Sequence, residues 1–119
     1  MSSAIILFAH GSRDPLWRRP LEAVAERVRA LAPDTRVVCA YLELTDPDLN
    51  ASAAGLVADG ITSIRIVPMF LGVGKHARED LPVLFSMLQA SHPGVAFTLQ
   101  SAVGEDERLV NMLAHIALN

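Results

Sequence analysis

Two histidines and one glutamate stand at or just beyond the ends of apolar runs. His10 directly follows the run Ala4–Ala9, Glu43 follows a second run, and His76 comes a few residues after a third. Two imidazoles and one carboxylate are a common ligand set for divalent first-row metals, and they leave coordination positions open for a substrate. Neutral histidine also accepts protons near neutral pH. These residues therefore favour metal-dependent chemistry if the fold brings them together.

Each of these residues also has an ordinary interpretation. A lone histidine after a strand is more often a capping or hydrogen-bonding residue than a ligand, and Glu43 before a helix could simply favour the helix dipole. The other two histidines are weaker candidates. His92 lies in a predicted turn and His115 in the last predicted helix, so we expect both to be structural or solvated.

A glycine-rich segment, Gly72-Val73-Gly74-Lys75, precedes His76. It could cradle phosphate, but it lacks the full P-loop spacing, and no serine or threonine follows the lysine. Ser12 could act as a nucleophile with a histidine as its base, but no second acid or oxyanion motif accompanies it. We therefore expect the glycines to let the loop bend and place His76 above the sheet edge. A flavin or nucleotide binder and a hydrolase stay as weaker alternatives.

Short apolar runs alternate with amphipathic stretches along the chain. The predicted strands are Ala4–Ala9, Arg36–Leu42, Ile64–Met69 and Val95–Leu99. The predicted helices begin at Asp14-Pro15 or somewhat later because of Pro20, at Asp46-Pro47, after an N-cap at Asp80, and at Glu107, the last ending at Leu118. This alternation predicts one α/β domain over residues 1–119, with helices on both faces of a parallel sheet. Right-handed crossovers favour a flavodoxin-like lobe with strand order 2-1-3-4.

The spacing of apolar residues also predicts which helix positions face the sheet. In the first helix these are Trp17, Leu21, Val24, Val28 and Leu31. In the last helix they are Val110, Leu113 and Ile116 or Ala117. Each helix is therefore expected to bury one stripe on the sheet of its own chain.

The predicted topology gathers the chemically active residues at one edge. In such sheets ligands bind outside the carboxyl ends of the strands, near the point where the strand order reverses. His10 and His76 flank that point, and Glu43 reaches the same edge from the second strand. Basic residues collect there too, namely Arg13, Lys75 and Arg78. Arginine and lysine hold carboxylates, so the edge favours an anionic substrate.

Composition excludes several classes of function. The chain has 119 residues, 51% of them hydrophobic, and a net charge of −3, and basic residues are not massed anywhere along the sequence, so bulk nucleic-acid binding has no electrostatic support. The one cysteine, Cys39, cannot form an internal disulfide or a cluster site alone. No apolar run is long enough to span a bilayer, and the N-terminus lacks the basic start of a secretion signal. We therefore expect a cytoplasmic protein with no membrane partner.

Three segments, in the same order, resemble the class II tetrapyrrole chelatases. They are His10-Gly11-Ser12-Arg13-Asp14-Pro15, Ala40-Tyr41-Leu42-Glu43 with Asp46-Pro47, and Val67–His76 continuing to Glu79-Asp80-Leu81-Pro82. Together they are similar to the short form of the sirohydrochlorin cobaltochelatase and ferrochelatase family. The resemblance spans nearly the whole chain, although the C-terminal segment matches only in pattern.

The resemblance implies a lyase that inserts cobalt, iron or nickel into sirohydrochlorin, in sirohaem or cobalamin biosynthesis. The family's active-site histidines match His10 and His76, and its acidic position after the second strand matches Glu43, so these three are the expected catalytic and metal-binding residues. Longer members close a cleft between two lobes, which implies a homodimer here. No cofactor beyond the divalent metal substrate is implied. A non-catalytic tetrapyrrole or metal carrier would use the same residues and stays an alternative.

The implied substrate is a large polyanionic macrocycle with apolar faces. Side chains suited to the faces are Leu44, Met69, Phe70, Leu71 and Val73, and those suited to its carboxylates are Arg13 and Lys75. Ser12, Gly72 and Gly74 complete the predicted substrate-binding set. Most of this set lies in the loop between the third strand and the third helix.

Overall fold

The apolar runs form a four-stranded parallel sheet. The structure is a computed structural model that describes residues 2–119. Its strands are β1 Ser3–Ala9, β2 Arg36–Tyr41, β3 Ser63–Pro68 and β4 Ala96–Leu99. Their order is β2-β1-β3-β4, and all neighbours are parallel. The predicted α/β class and the strand order 2-1-3-4 are therefore confirmed.

The connections between the strands are helical. The helices are α1 Arg19–Leu31, α2 Leu49–Ala58, α3 Lys75–Ser91 and α4 Glu107–Leu118, with one 3₁₀ turn, η1, at Val103–Glu105. The side chain of Asp48 caps α2 by accepting a hydrogen bond from the amide of Ala51 at 2.7 Å. Over residues 2–119, no helix combines the length and the apolar character that crossing a membrane requires.

The first helix has the later of its two predicted starts, and the starts of the second and third helices differ from the sequence prediction. The chain from Asp14 makes turns, and α1 begins only at Arg19 because Pro20 is tolerated in a first turn but not deeper in a helix. The second helix begins after Asp48, not at Asp46-Pro47. The prediction that Asp80 caps the third helix is wrong: α3 begins at Lys75 with Gly74 as N-cap, and Pro82 lies inside it.

The sheet has two unequal apolar faces. One face packs against α2 and α3 through the most buried side chains of the chain, including Ile6, Phe8, Ile64, Ile66 and Leu88. The opposite face, here called the α1 face, packs against α1 through Leu7, Ala9, Leu21, Ala25 and Val37. Strand alternation separates the two sets, since successive side chains point to opposite sides. The core is therefore thicker on the α2–α3 side.

Several residues predicted to face the sheet are exposed. In α1, Leu21 is buried, but Trp17 precedes the helix and is 40% exposed, and Leu31 at its end is 85% exposed. In α4 the predicted inward residues Val110, Leu113 and Ile116 are 50%, 38% and 63% exposed. These orientations were wrong because periodicity identifies an apolar stripe without identifying what covers it.

The N-terminus of the last helix is well capped, although none of the residues of this helix is buried. Asp106 accepts a hydrogen bond from the amide of Arg108 at 2.8 Å and pairs with the guanidinium of the same residue at 2.7 Å. These bonds lower the pKa of Asp106 to about 2, so the cap stays ionised at neutral pH. No residue of α4 is buried, and its main contacts within the chain are with η1.

Candidate functional site

A cleft of about 480 Å³ opens at the carboxyl edge of the sheet, where β1 and β2 end and α3 begins. Its lining is His10, Leu42, Glu43, Gly74, Lys75, His76, Ala77 and Asp80. The two histidines and the glutamate of the sequence prediction thus come to one place from three separate segments. All three are exposed to solvent.

Backbone hydrogen bonds extend beyond β1 and β2 and hold the first two of these residues in register. The amide of Leu42 donates to the carbonyl of Ala9 at 2.9 Å, and the amide of Glu43 donates to that of His10 at 3.0 Å. The amide of Ser12 then donates to Oγ1 of Thr45 at 3.0 Å. His10 and Glu43 therefore sit on two loops fastened to each other, so their spacing is set by the backbone.

The close approach of the loop that carries His10 to the loop that carries Glu43 requires glycine at position 11. Gly11 has φ +103°, a conformation that side chains disfavour, and an added Cβ would lie 1.8 Å from the carbonyl oxygen of Glu43. On the opposing loop, Leu44 also has positive φ, at 65°. The two loops approach so closely that no larger residue fits at position 11 without separating them.

The ring of His10 is supported by an aromatic pair. It meets the ring of Phe70 edge-on, with centroids 5.5 Å apart, and Phe70 in turn meets Phe8 at 6.0 Å. Such edge-to-face contacts restrict the orientation of a ring. Phe70 is buried, with 7% of its surface exposed, so in this structure it supports His10 instead of presenting a face to a macrocycle.

His76 lies in the first turn of α3, two residues after the N-cap Gly74. Asp80 follows it by four residues, and residues four apart lie on the same side of a helix. Both line the cleft. The sequence analysis did not identify Asp80 as a cleft residue because it placed the start of the third helix at Asp80. A helix that starts at Lys75 instead puts the carboxylate of Asp80 one turn from His76.

The cleft residues are near one another without forming a closed ligand cage. Across residues 2–119, no three His, Cys, Asp or Glu side chains are grouped closely enough to hold a metal ion. In this arrangement His10, Glu43 and His76 line one cleft and are all exposed, but they do not form a ready-made three-ligand metal site.

The other residues of the predicted substrate-binding set are spread around the cleft. Gly74 and Lys75 line it. Met69 and Val73 are half-buried against the two apolar cores. Oγ of Ser12 accepts a hydrogen bond from the amide of Asp14 at 3.1 Å, which fits a turn residue better than a nucleophile. The rest are exposed outside the lining, namely Arg13, Leu44, Leu71 and Gly72.

The loop between β3 and His76 is fastened to η1. The amide of Gly104 donates to the carbonyl of Phe70 at 3.0 Å. A Cβ on Gly104 would lie 1.7 Å from the carbonyl oxygen of Leu71. The short segment that carries α4 is therefore in direct backbone contact with the loop that leads to the cleft.

The thiol of Cys39 and the phenol of Tyr41 lie on the α1 face, away from the cleft lining. Burial raises the pKa of both groups, and the nearby Arg29 opposes the effect at Cys39. Neither group is therefore ionised at neutral pH. This leaves the imidazoles and carboxylates of the cleft as the candidate reactive groups.

Several known proteins are similar to this chain in sequence or in structure. Sirohydrochlorin cobaltochelatase of Methanopyrus kandleri is 31% identical over 71% of this chain and 59% of its own length. The crystal structure of a Marinobacter aquaeolei protein assigned to the CbiX proteins of cobalamin biosynthesis is 32% identical, with a TM-score of 0.84 over 97% of this chain and 93% of that one. The sirohydrochlorin chelatase SirB from Bacillus subtilis subspecies spizizenii, in complex with cobalt, is 27% identical, with a TM-score of 0.81 over 97% of this chain.

The coverage differs among these relatives. The chain spans 59% of the Methanopyrus protein and 49% of the SirB chain, but 93% of the Marinobacter chain. The lobe described above thus corresponds to about half of SirB and to nearly all of the Marinobacter protein. The CbiX family model matches residues 4–117, from the first strand to the last helix. With that match, the chain belongs to the CbiX family.

Proposed function

We propose that this chain is a sirohydrochlorin metal chelatase, a lyase that inserts a divalent metal ion into sirohydrochlorin. The observation that carries the proposal is the single cleft shared by His10, Glu43 and His76 in a chain of the CbiX family. The relatives named sirohydrochlorin cobaltochelatase and the cobalt complex of SirB support it. Cobalt and iron are the proposed metals, with nickel third, because imidazole and carboxylate ligands accept all three.

The reaction needs a metal ion to be delivered and two pyrrole N–H protons to be removed. His10, Glu43 and His76 hold the incoming metal, and Glu43 offsets part of its charge. One imidazole nitrogen cannot bind metal and accept a proton at the same time. As the ring nitrogens replace protein ligands on the metal, His10 and His76 are released, and each is free to accept one of the two pyrrole protons. No covalent intermediate and no cofactor beyond the metal substrate are required.

The substrate is anionic and flat, and the cleft lining offers it one cation, Lys75, beside the carboxylates of Glu43 and Asp80. Lys75 lines it and can meet a ring carboxylate, while exposed Arg13 and Leu71 lie nearby on the two loops that flank the site. An ammonium group on a flexible side chain can follow a carboxylate that moves with the macrocycle. The ring itself is expected to bind along the carboxyl edge between these loops.

One lobe supplies only one wall of such a site. His10, Glu43, Lys75, His76 and Asp80 are all exposed, so a second wall is needed to exclude water. We propose that a second copy supplies it, as a homodimer. The cytoplasm is the proposed compartment, since the one cysteine leaves no internal disulfide to form. No nucleic-acid or membrane partner is proposed.

Absorbance of sirohydrochlorin under anaerobic conditions tests the proposal. With Co²⁺ or Fe²⁺, the protein is expected to accelerate conversion to the metallated spectrum in proportion to its concentration. Bovine serum albumin, which is no chelatase, is the control for adventitious metal delivery. A shift caused by binding, with no acceleration for any of the three metals, would favour the tetrapyrrole or metal carrier instead.

Asp80 is expected to assist metal capture. The variant Asp80→Asn removes a negative charge one helical turn from His76 and should raise the metal concentration needed for half-maximal rate by about 10-fold, as outer carboxylates at metal sites do. Glu79→Gln is the matched control, because Glu79 is the neighbouring acid of α3 but does not line the cleft. Initial rates against Co²⁺ concentration measure the difference. Equal values for the two variants would contradict this role.

A further inference from the structure

The side chain of Thr45 joins the loop that carries Glu43 to the loop that carries His10. Its Oγ1 accepts a hydrogen bond from the amide of Ser12 at 3.0 Å and donates one to the carbonyl of the same residue. One hydroxyl can do both, because it is a donor and an acceptor. Thr45 and Ser12 are half-buried, whereas both chain neighbours of Thr45 are exposed. This side chain is therefore the inward contact of an otherwise exposed loop.

The hydroxyl continues the contact between the two loops at a point where the backbone turns away. The amide of Glu43 still donates to the carbonyl of His10 at 3.0 Å. At Leu44 the chain then turns with φ 65°, and the amide of Thr45 donates to the carbonyl of Glu43 within its own loop, at 2.8 Å. A three-residue turn around a positive φ is rare and strained. Beyond it, the Thr45 hydroxyl makes the contact with the opposing loop.

The strained turn at Leu44 is held from two sides. At the base of the loop, the amide of Tyr41 donates to the carbonyl of Pro47 at 3.0 Å. At its tip, the two bonds of the Thr45 hydroxyl hold it. Backbone strain of this kind persists only where the surroundings impose it. Without the hydroxyl the turn can relax, and Glu43, the residue that precedes it, moves with it.

The opposing loop is restrained at the same point. Oγ of Ser12 accepts a hydrogen bond from the amide of Asp14 at 3.1 Å, and Oδ1 of Asp14 accepts one from the amide of Leu16 at 2.9 Å. Ser12 is thus bonded through its backbone to Thr45 and through its side chain to the following turn. Because Ser12 lies two residues after His10, these bonds limit how far His10 can move.

We propose that Thr45 is a positioning residue of the site. Its hydroxyl holds the loops of His10 and Glu43 at a separation from which both side chains reach the same metal ion. Thr45 acts through these residues, since it is not part of the cleft lining. Ligands that are held in place lose less freedom on binding, so the hydroxyl raises the affinity for the metal. This inference rests on the proposed function, which assigns the two ligands but no side chain that keeps them together.

The variant Thr45→Val tests the proposal, because valine keeps the shape of threonine and removes the hydroxyl. Thr45→Ser keeps the hydroxyl and should rescue the effect. Thr62→Val is the matched control: Oγ1 of Thr62 also donates to a distant carbonyl, that of Ser2 at 3.3 Å, but Thr62 precedes β3, at the edge of the sheet opposite the cleft. None of the three positions changed is buried, so far-UV circular dichroism should show all variants folded.

Hydrogen exchange followed by NMR measures whether the loops separate. The amide of Glu43 is bonded to the carbonyl of His10, so it exchanges when the two loops open. We expect exchange at this amide to be about 10-fold faster in Thr45→Val, the effect of losing one or two hydrogen bonds. In Thr45→Ser and Thr62→Val the rate should stay near that of the wild type.

Calorimetric titration with Co²⁺, without sirohydrochlorin, measures whether the separation matters to the metal. Thr45→Val should raise the dissociation constant about 10-fold, as the loss of a supporting residue does at other metal sites, and Thr45→Ser should restore it. Unchanged exchange at Glu43 would overturn the restraint, and faster exchange with unchanged Co²⁺ affinity would overturn the positioning role. A wild type that bound no Co²⁺ would overturn the proposed ligands and this inference with them. The first two outcomes leave those ligands standing, so the two failures are distinguishable.

Discussion

Replacing His76 or His10 with alanine is expected to lower the rate of metal insertion by about 100-fold or more, the usual contribution of a positioned proton acceptor. Each change removes an imidazole that lines the cleft and that we propose serves in turn as metal ligand and base. Both side chains are exposed, so the free energy of unfolding should change by no more than about 1 kcal/mol. The two effects, on turnover and on stability, thus separate a functional from a structural role.

The measurement is the anaerobic sirohydrochlorin assay at saturating Co²⁺, with a urea titration of each variant. His92→Ala is the control, because His92 is a histidine at the far end of α3 that packs against Phe97 instead of lining the cleft. It should retain the wild-type rate. If His10→Ala and His76→Ala both kept normal turnover and normal metal dependence, the assigned site would be wrong.

Gly11→Ala is expected to damage stability and activity together. The residue has φ +103°, and the new Cβ would lie 1.8 Å from the carbonyl oxygen of Glu43. Relief requires the His10 and Glu43 loops to separate, which breaks the hydrogen bond from the amide of Glu43 to the carbonyl of His10. We expect a loss of about 2–4 kcal/mol in the free energy of unfolding. We also expect a fall in turnover of about 10-fold or more, because His10 and Glu43, the two proposed ligands on these loops, lose their spacing.

Gly55→Ala is the control for this substitution. Gly55 lies within α2, and an added Cβ would meet nothing within 4 Å. Alanine is the better helix former, so this variant should gain about 0.5–1 kcal/mol. Urea denaturation measures both changes. If Gly11→Ala kept the wild-type unfolding midpoint, the His10 and Glu43 loops could separate without a loss in the free energy of unfolding, and this prediction would be wrong.

The topology was predictable because the four strands are dense apolar runs separated by proline- and glycine-bearing turns. The edge at which His10, Glu43 and His76 meet then followed from the strand order. The start of α3 was not predictable in the same way. Gly74 has no side chain to mark it as an N-cap, and Pro82 inside the helix favours a start nearer to itself.

The orientation of α4 could not be predicted from the sequence, for a different reason. Its bounds, Glu107–Leu118, were predicted correctly, as was its amphipathic pattern. The pattern of Val110, Leu113 and Ile116 is the same whether the helix packs on its own sheet or on another molecule. Only the tertiary structure shows that the stripe is left exposed.

The contact of Gly104 with the Phe70–Leu71 loop has a thermodynamic consequence. α4 leaves η1 at one end of this contact, and the loop leads to His76 at the other. A displacement of η1 that shifts this loop, and thereby changes the affinity of the cleft for a ligand by some factor, is in turn favoured or opposed by that ligand by the same factor. The position of α4 and the affinity of the cleft are then linked by one coupling free energy.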